Sequence, residues 1–257
     1  MPENVPDLSE EEIQRYKRQI LLPEVGLEGQ TRIKAARIMV VGAGGLGSPA
    51  AYYLAAAGVG KMTVVDDDQL SISNLNRQIL HNSDRIGMYK AESARMTISS
   101  LNPSVELIIN CERLTRENAV ELIGESELVV DCTDNFSTRF ILNEACLRTR
   151  KPMFYAAVTG MEGQVMTILP GEGPCYRCLY PEEPRNIAKP APVIGVLPGV
   201  VGLIQTTQVL KYILGQGDLL AGRLLVYNAM AMELYSLPIK RSPRCPACGS
   251  NPARIRN

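Results

Sequence analysis

The stretch "RIMVVGAGGLG" (37–47) constrains the fold of this chain more than any other. "RIMVV" is a short apolar run bounded by a turn signal, which reads as a buried strand. Small and apolar residues from Ser48 to Ala57 then read as a helix, stopped by Gly58 and Gly60. "MTVVD" (62–66) is the next strand, so the segment is a βαβ unit.

The alternation continues. Residues 87–101 read as a helix ended by "NPS", 105–109 as a strand, 118–123 as a helix, 127–132 as a strand and 136–150 as a helix closed before Pro152. Strands separated by helices imply a mostly parallel, Rossmann-like sheet covered on both faces, an α/β fold. Beyond Pro152 the texture changes. "MFYAAV" and "QVMTIL" read as neighbouring strands, 181–192 as irregular and Pro-rich, 200–214 as an amphipathic helix, and "RLLVYNA" and "MELYSL" as closing strands. The sheet is therefore expected to continue in mixed form within one unit, 1–257. N-terminal helices fill 1–36, a nucleotide-binding half 37–150 and a second half 151–257. At the start, "SEEE" is a capping box opening a helix over 9–19, and 28–36 reads as a second helix.

The chain has 257 residues, no formal net charge, 46% apolar and 21% charged residues, an ordinary globular composition that points to neither nucleic acid nor an anionic membrane. No run approaches the roughly 20 apolar residues of a membrane span, and the polar N-terminus lacks a signal core. These features imply a cytoplasmic protein.

Gly42, Gly44 and Gly47 fit G-x-G-x-x-G between a strand and a helix, and Asp66 ends the following strand. Glycines permit a tight turn and close approach of backbone to phosphate, and a carboxylate there suits a ribose. Without a ligand the same glycines make only a tight turn. Arg77 and Lys90 follow, and a triphosphate needs such fixed cations more than a dinucleotide does. The alternative for each is a solvated surface cation, the usual place of arginine and lysine. "DCTDN" (131–135) closes another strand, and ligands of open α/β sheets bind beyond strand carboxyl ends. Asp134 there suits Mg²⁺, which takes few protein carboxylates plus phosphate oxygens. Alternatively, Asp131 and Asp134 cap the next helix.

Of seven cysteines, four form two C-x-x-C pairs, Cys175/Cys178 and Cys245/Cys248. Four thiolates suit a closed, structural Zn²⁺ that pins the C-terminal tail to the irregular segment. A redox pair is disfavoured because neither motif opens a helix in a thioredoxin-like setting. Cys111, Cys132 and Cys146 read as buried structural thiols.

The motifs "RYKRQI", "GAGGLG", "SNLNRQILH", "GMYKAESA", "DCTDN", "GQV", "CYRCLYP" and "CPACG", in this order over residues 16–249, resemble the ThiF/MoeB/HesA family, relatives of ubiquitin-activating enzymes. The resemblance implies an adenylyltransferase. It would use ATP and Mg²⁺ to activate the C-terminal glycine carboxylate of a ubiquitin-like sulfur-carrier protein ending in Gly-Gly, for thiocarboxylate formation in molybdopterin, thiamine or related biosynthesis. By motif, Gly45 lies against the nucleotide, Asp66 with Asp68 holds the ribose side, and Ser73, Asn74, Leu75, Asn76 and Arg77 flank the phosphates. Lys90 binds phosphate, and Asp134 holds magnesium with Asn135 beside it. Arg18 matches an arginine that the family's homodimers supply to the neighbouring site. No general base is needed, since the nucleophile is already ionised, and the sole histidine, His81, reads as structural.

One departure stands out. Many relatives carry a cysteine where "AKPAPVIGV" (188–196) places Ala188. Three readings follow: activation that ends at the acyl-adenylate, with a separate sulfurtransferase or cysteine desulfurase as donor; an introduced alanine; or a different alignment of the segment. The chain also ends soon after the second C-x-x-C, without a rhodanese-like domain. Other readings are activation of a peptide or tRNA base, a nucleotide-binding scaffold without turnover, and an NAD oxidoreductase.

Overall fold

The computed structural model describes residues 7–184 and 192–249. The chain opens with α1 (Glu10–Arg15), α2 (Lys17–Ile20) and α3 (Gly26–Ala35). The capping box forms as expected, Glu12 N donating to Ser9 Oγ at 3.2 Å and Ser9 N to Glu12 Oε2 at 2.8 Å. The single helix expected over 9–19 is instead two. Tyr16 breaks it by turning inward, where its hydroxyl accepts from Asn102 at 2.7 Å and its ring fills the space beside Gly58.

Then follow β1 (Arg37–Val41), α4 (Gly47–Ala57), β2 (Lys61–Val65), α5 (Lys90–Leu101), β3 (Glu106–Asn110), α6 (Ala119–Ile123), β4 (Leu128–Asp131) and α7 (Phe136–Thr149). The second half holds β5 (Met153–Thr159), β6 (Glu162–Ile168), α8 (Tyr176–Leu179), α9 (Leu197–Leu214), β7 (Arg223–Asn228) and β8 (Glu233–Pro238). Two boundaries differ instructively from expectation. α5 starts at Lys90, not 87, because Gly87 is left-handed (φ 88°) and Tyr89 bridges to Gln69. α9 starts three residues before Val200, because Pro198 lies in its first turn, where proline lacks no needed donor.

One sheet runs unbroken in the order β3-β2-β1-β4-β5-β6-β7-β8. β1 to β5 are parallel neighbours and β5 to β8 pair antiparallel, the mixed extension expected from the change of texture after Pro152. β1 is apolar throughout because both its faces are covered: Ile38 and Val40 join one buried cluster with α4 and α9, and Met39 and Val41 join another with α7 and α8. β8, at the edge, is exposed along its whole length. No helix among the described residues is long and apolar enough to cross a membrane.

The chain order reverses between β1 and β4. In open α/β sheets such a reversal is where a ligand crevice forms, beyond the carboxyl ends of the strands. Residues 42–47 and 132–135 follow β1 and β4 and flank that position.

Candidate functional site

Two glycines of the 42–47 loop exist for packing. Gly42 has φ 95°, and a Cβ there would stand 2.7 Å from the Cys132 carbonyl oxygen, which is how the β1 and β4 loops approach so closely. A Cβ on Gly47 would meet the Gly42 oxygen at 1.8 Å. Gly44 differs: the nearest atom to a Cβ there is the Gln78 amide nitrogen at 3.5 Å, ordinary contact. The fold would therefore accommodate a Cβ at this position. Gly45 packs beside Pro198 and the Arg77 side chain.

Asp66 closes the loop from below. Ala43 N donates to its Oδ2 at 2.7 Å and Asp68 N to its Oδ1 at 2.9 Å. Burial pushes the Asp66 pKa up, against the pull of nearby Lys90 and the two N–H donors. Each carboxylate oxygen keeps a lone pair for a further donor. Lys90, at the first position of α5, is buried, and its ammonium sits 2.6 Å from Asp68 Oδ2. Sequence reasoning put Lys90 on phosphate; in the structure its first partner is Asp68, with two N–H donors left over.

The segment 73–77 lies against the glycine loop. Arg77 is half-buried, and its guanidinium is steadied by the Ser73 carbonyl at 3.1 Å and Asn76 Oδ1 at 2.9 Å. Asn74 turns its Oδ1 inward onto the Ser71 N–H at 2.9 Å, so it shapes this turn. Ser73 Oγ pairs with Ser71 Oγ, Leu75 is half-buried, and the Asn76 carbonyl backs onto Gly195.

Across the crevice, Asp134 is exposed and meets only the Asn135 amide, at 3.5 Å, among the described residues. Asn135 is the true cap of α7, accepting from Thr138 N at 2.9 Å. Neither aspartate caps that helix. Asp131 is fully buried instead, accepting from the Thr133 N–H and hydroxyl and facing Arg139, whose guanidinium donates to the Thr133 carbonyl at 2.5 Å. Gln205 of α9 donates to the carbonyls of Asp131 and Phe154 at 2.8 and 2.7 Å. Arg139 and Gln205 thus fix the loop that carries Asp134. Sequence reasoning missed both, because neither stands in a motif. Cys132 is buried, and burial pushes its thiol pKa well above the ordinary value.

Arg18 is not part of this crevice. It lines a cavity of about 490 Å³ with Tyr53, Ala57 and Leu210, at the far end of α4. That helix has eleven residues and is about 16 Å long, so the glycine loop of the same chain is out of reach.

The four cysteines converge, their sulfurs all within 4.8 Å of one another. The close pairs run across the motifs, Cys175 to Cys245 at 3.6 Å and Cys178 to Cys248 at 3.4 Å. Thiolates around a tetrahedral Zn²⁺ lie roughly 3.8 Å apart, given Zn–S of about 2.3 Å, so the donor set and spacing fit that ion. "CYRC" precedes a single helical turn, α8, with Cys175 at its cap. The redox reading gains nothing from this, since each sulfur's nearest partner belongs to the other motif.

The position of Ala188 lies outside the described residues.

Comparison with known proteins agrees with this geometry. The ThiF family profile matches residues 16–247. The SAMP-activating enzyme E1 of Haloferax volcanii is 47% identical over 93% of this chain and 89% of its own length. The sulfur carrier protein adenylyltransferase of Thermus thermophilus is 46% identical over 96% of this chain and 94% of its own length. The crystal structure of PaaA superposes with a TM-score of 0.78 at 25% identity, over 91% of this chain and 76% of that one. A profile match across most of the chain, with two relatives near half identity along almost their full lengths, shows that the chain belongs to the ThiF family.

Proposed function

We propose that this protein adenylates the C-terminal glycine carboxylate of a ubiquitin-like sulfur-carrier protein. The observation that carries this reading is the convergence of the glycine loop, Asp66, Arg77 and Lys90 at the β1/β4 switch point, in a chain whose relatives are carrier-protein adenylyltransferases.

ATP is the first substrate. Gly44 offers backbone where phosphate would lie, and the N-terminus of α4 favours negative charge there. Asp66, already oriented by two N–H donors, holds the ribose hydroxyls with its remaining lone pairs. Arg77 and Lys90 bind the phosphate oxygens, and the Asp68 partner fixes the Lys90 ammonium beforehand, so little ordering is left for the reaction itself. Asp134, exposed after β4, would hold Mg²⁺, and its charge would there offset that of the phosphate oxygens.

The carrier's terminal carboxylate attacks the α-phosphorus, the bond to the β-phosphate oxygen breaks, and pyrophosphate leaves. Both reactants are anions, so their approach is opposed by repulsion until cations neutralise it. No proton need be removed. Arg18, too far from its own crevice, serves that of a second copy, which makes a homodimer the working unit. The carrier body docks on the late strands, where Met230, Met232, Leu234 and Leu237 are exposed. Zn²⁺ on Cys175, Cys178, Cys245 and Cys248 is structural, and a reducing, cytoplasmic setting keeps those thiols available. A separate donor supplies sulfur to the adenylate.

Carrier-dependent ATP–pyrophosphate exchange, tested with purified Gly-Gly-ending carriers, is the experiment. Exchange that needs both the carrier and its terminal glycine supports the reading. Tight ATP binding with no exchange against any carrier would replace it with a scaffold.

A further inference from the structure

His81, the sole histidine, is placed between three elements that face the crevice. It is buried, and both ring nitrogens are engaged: Nε2 lies 2.8 Å from the Ala43 carbonyl oxygen and Nδ1 2.9 Å from Ser93 Oγ. A carbonyl can only accept. Nε2 therefore carries the proton, and in the neutral ring Nδ1 accepts from the Ser93 hydroxyl. Ser93 is in turn backed by Arg85, which donates to its carbonyl at 2.9 Å and to Thr97 Oγ1 at 2.6 Å. Ala43 belongs to the glycine loop, His81 follows Arg77 by four residues, and Ser93 follows Lys90 by three. One imidazole thus joins the loop to the segments of both cations.

The Ala43 contact does more than tie segments together. In a trans peptide the C=O and the next N–H point in opposite directions across one plane. Fixing the Ala43 carbonyl toward the buried His81 therefore turns the Gly44 N–H away from the interior. That N–H has no hydrogen-bond partner among the described residues. The Ala43 N–H on the other side is held by Asp66. The plane joins Ala43 to a glycine, and backbone preference alone holds it weakly on that side, since glycine populates positive and negative φ alike. We infer that His81 is a positioning residue for the nucleotide: held by Ser93, it locks the Ala43–Gly44 peptide so that the Gly44 N–H donates to a phosphate oxygen of ATP.

This rests on the ATP reading above and goes beyond it by giving the histidine a task. The two ring contacts can be separated by mutation. His81→Gln carries an amide N–H to about the Nε2 position and keeps the Ala43 bond. His81→Asn reaches only the Nδ1 position and keeps Ser93 alone. Ser93→Ala leaves the ring in place without its anchor. ATP·Mg affinity is measured by calorimetry on the full chain, together with KM for ATP and for the carrier in pyrophosphate exchange. Wild type binds ATP. His81→Asn weakens ATP by about tenfold or more and leaves the carrier KM within twofold, the loss expected for a freed buried carbonyl. His81→Gln stays within about threefold of wild type, and Ser93→Ala lies between. Should His81→Asn not fold, Ser93→Ala against His81→Gln decides. A lowered melting temperature with unchanged ATP affinity in His81→Asn or Ser93→Ala would overturn the inference, as would equal damage by Gln and Asn. Absence of ATP binding by wild type would overturn the ATP reading itself, and this inference with it.

Discussion

The glycine loop makes two kinds of demand, and alanine at Gly44 and Gly47 should separate them. At Gly47 the new methyl would stand 1.8 Å from the Gly42 carbonyl oxygen, and contacts of real Cβ atoms below 3.0 Å are essentially never seen. The two must part by more than an ångström, and both are backbone, with no flexible side chain to yield. Overpacking of this kind costs roughly 3 kcal/mol or more, which for a chain this long lowers the melting temperature by roughly 6–12 °C. At Gly44 the methyl meets only the Gln78 amide at 3.5 Å, so the fold should tolerate it, with a change within about 2 °C. A methyl on the crevice side, however, holds the phosphates off the loop by about 1 Å, a misplacement worth on the order of 100-fold in rate. Differential scanning calorimetry and ATP–pyrophosphate exchange read the two effects. Gly44→Ala should keep its melting temperature and lose exchange through KM for ATP; Gly47→Ala should lose stability. If Gly44→Ala bound ATP as wild type does, the nucleotide would not approach this loop, and the reasoning would fail.

Other consequences are as direct. Arg77→Ala and Asp134→Ala should each lower exchange on the order of 100-fold, as loss of a group that neutralises developing charge does, with less than tenfold removing that residue from the reacting set. If Arg18 acts in the neighbouring subunit, an equal mixture of inactive Arg18→Ala and Asp134→Ala proteins should recover about a quarter of wild-type exchange; no recovery in verified mixed dimers would place Arg18 elsewhere. Stripping metal with a chelator should lower the melting temperature and release one zinc per chain, because binding free energy of a four-thiolate site is folding free energy. For His81, burial with Lys90 and Arg85 nearby holds the pKa below its ordinary 6.5. The unfolded chain then binds the proton more readily, so stability is complete above pH 6.5 and falls as pH drops from there toward the lowered value. His81→Gln should lose less stability between pH 7 and 5 than wild type does.

Much of this was legible in the sequence because the relevant constraints are local. A strand, a glycine turn and a helix must follow one another within a few residues, so 37–66 could be read directly. The two C-x-x-C pairs carry their own chemistry. Tyr16 was not legible: a helix pattern runs straight through it, and only the distant Gly58 and Asn102 explain why the chain bends inward there. Arg139 and Gln205 were invisible for the same reason. Each acts on the 131–135 loop from another element, through a carbonyl rather than through a side chain with a recognisable spacing. The motif places Lys90 on phosphate, and its pairing with Asp68 is a further contact that needs the β2–α5 connection to fold back, which periodicity does not reveal. His81 reads as structural from the sequence because acid–base chemistry is unnecessary here, but which carbonyl and hydroxyl it joins shows only in the fold.

The most direct measurement follows the oxygen. A carrier labelled with ¹⁸O in its C-terminal carboxylate is incubated with the protein, ATP and Mg²⁺, and the adenylate is then cleaved by an added thiol. Attack on the α-phosphorus followed by acyl transfer leaves one labelled oxygen in AMP and none in pyrophosphate. AMP free of label, or label in pyrophosphate, would contradict adenylation of the carrier.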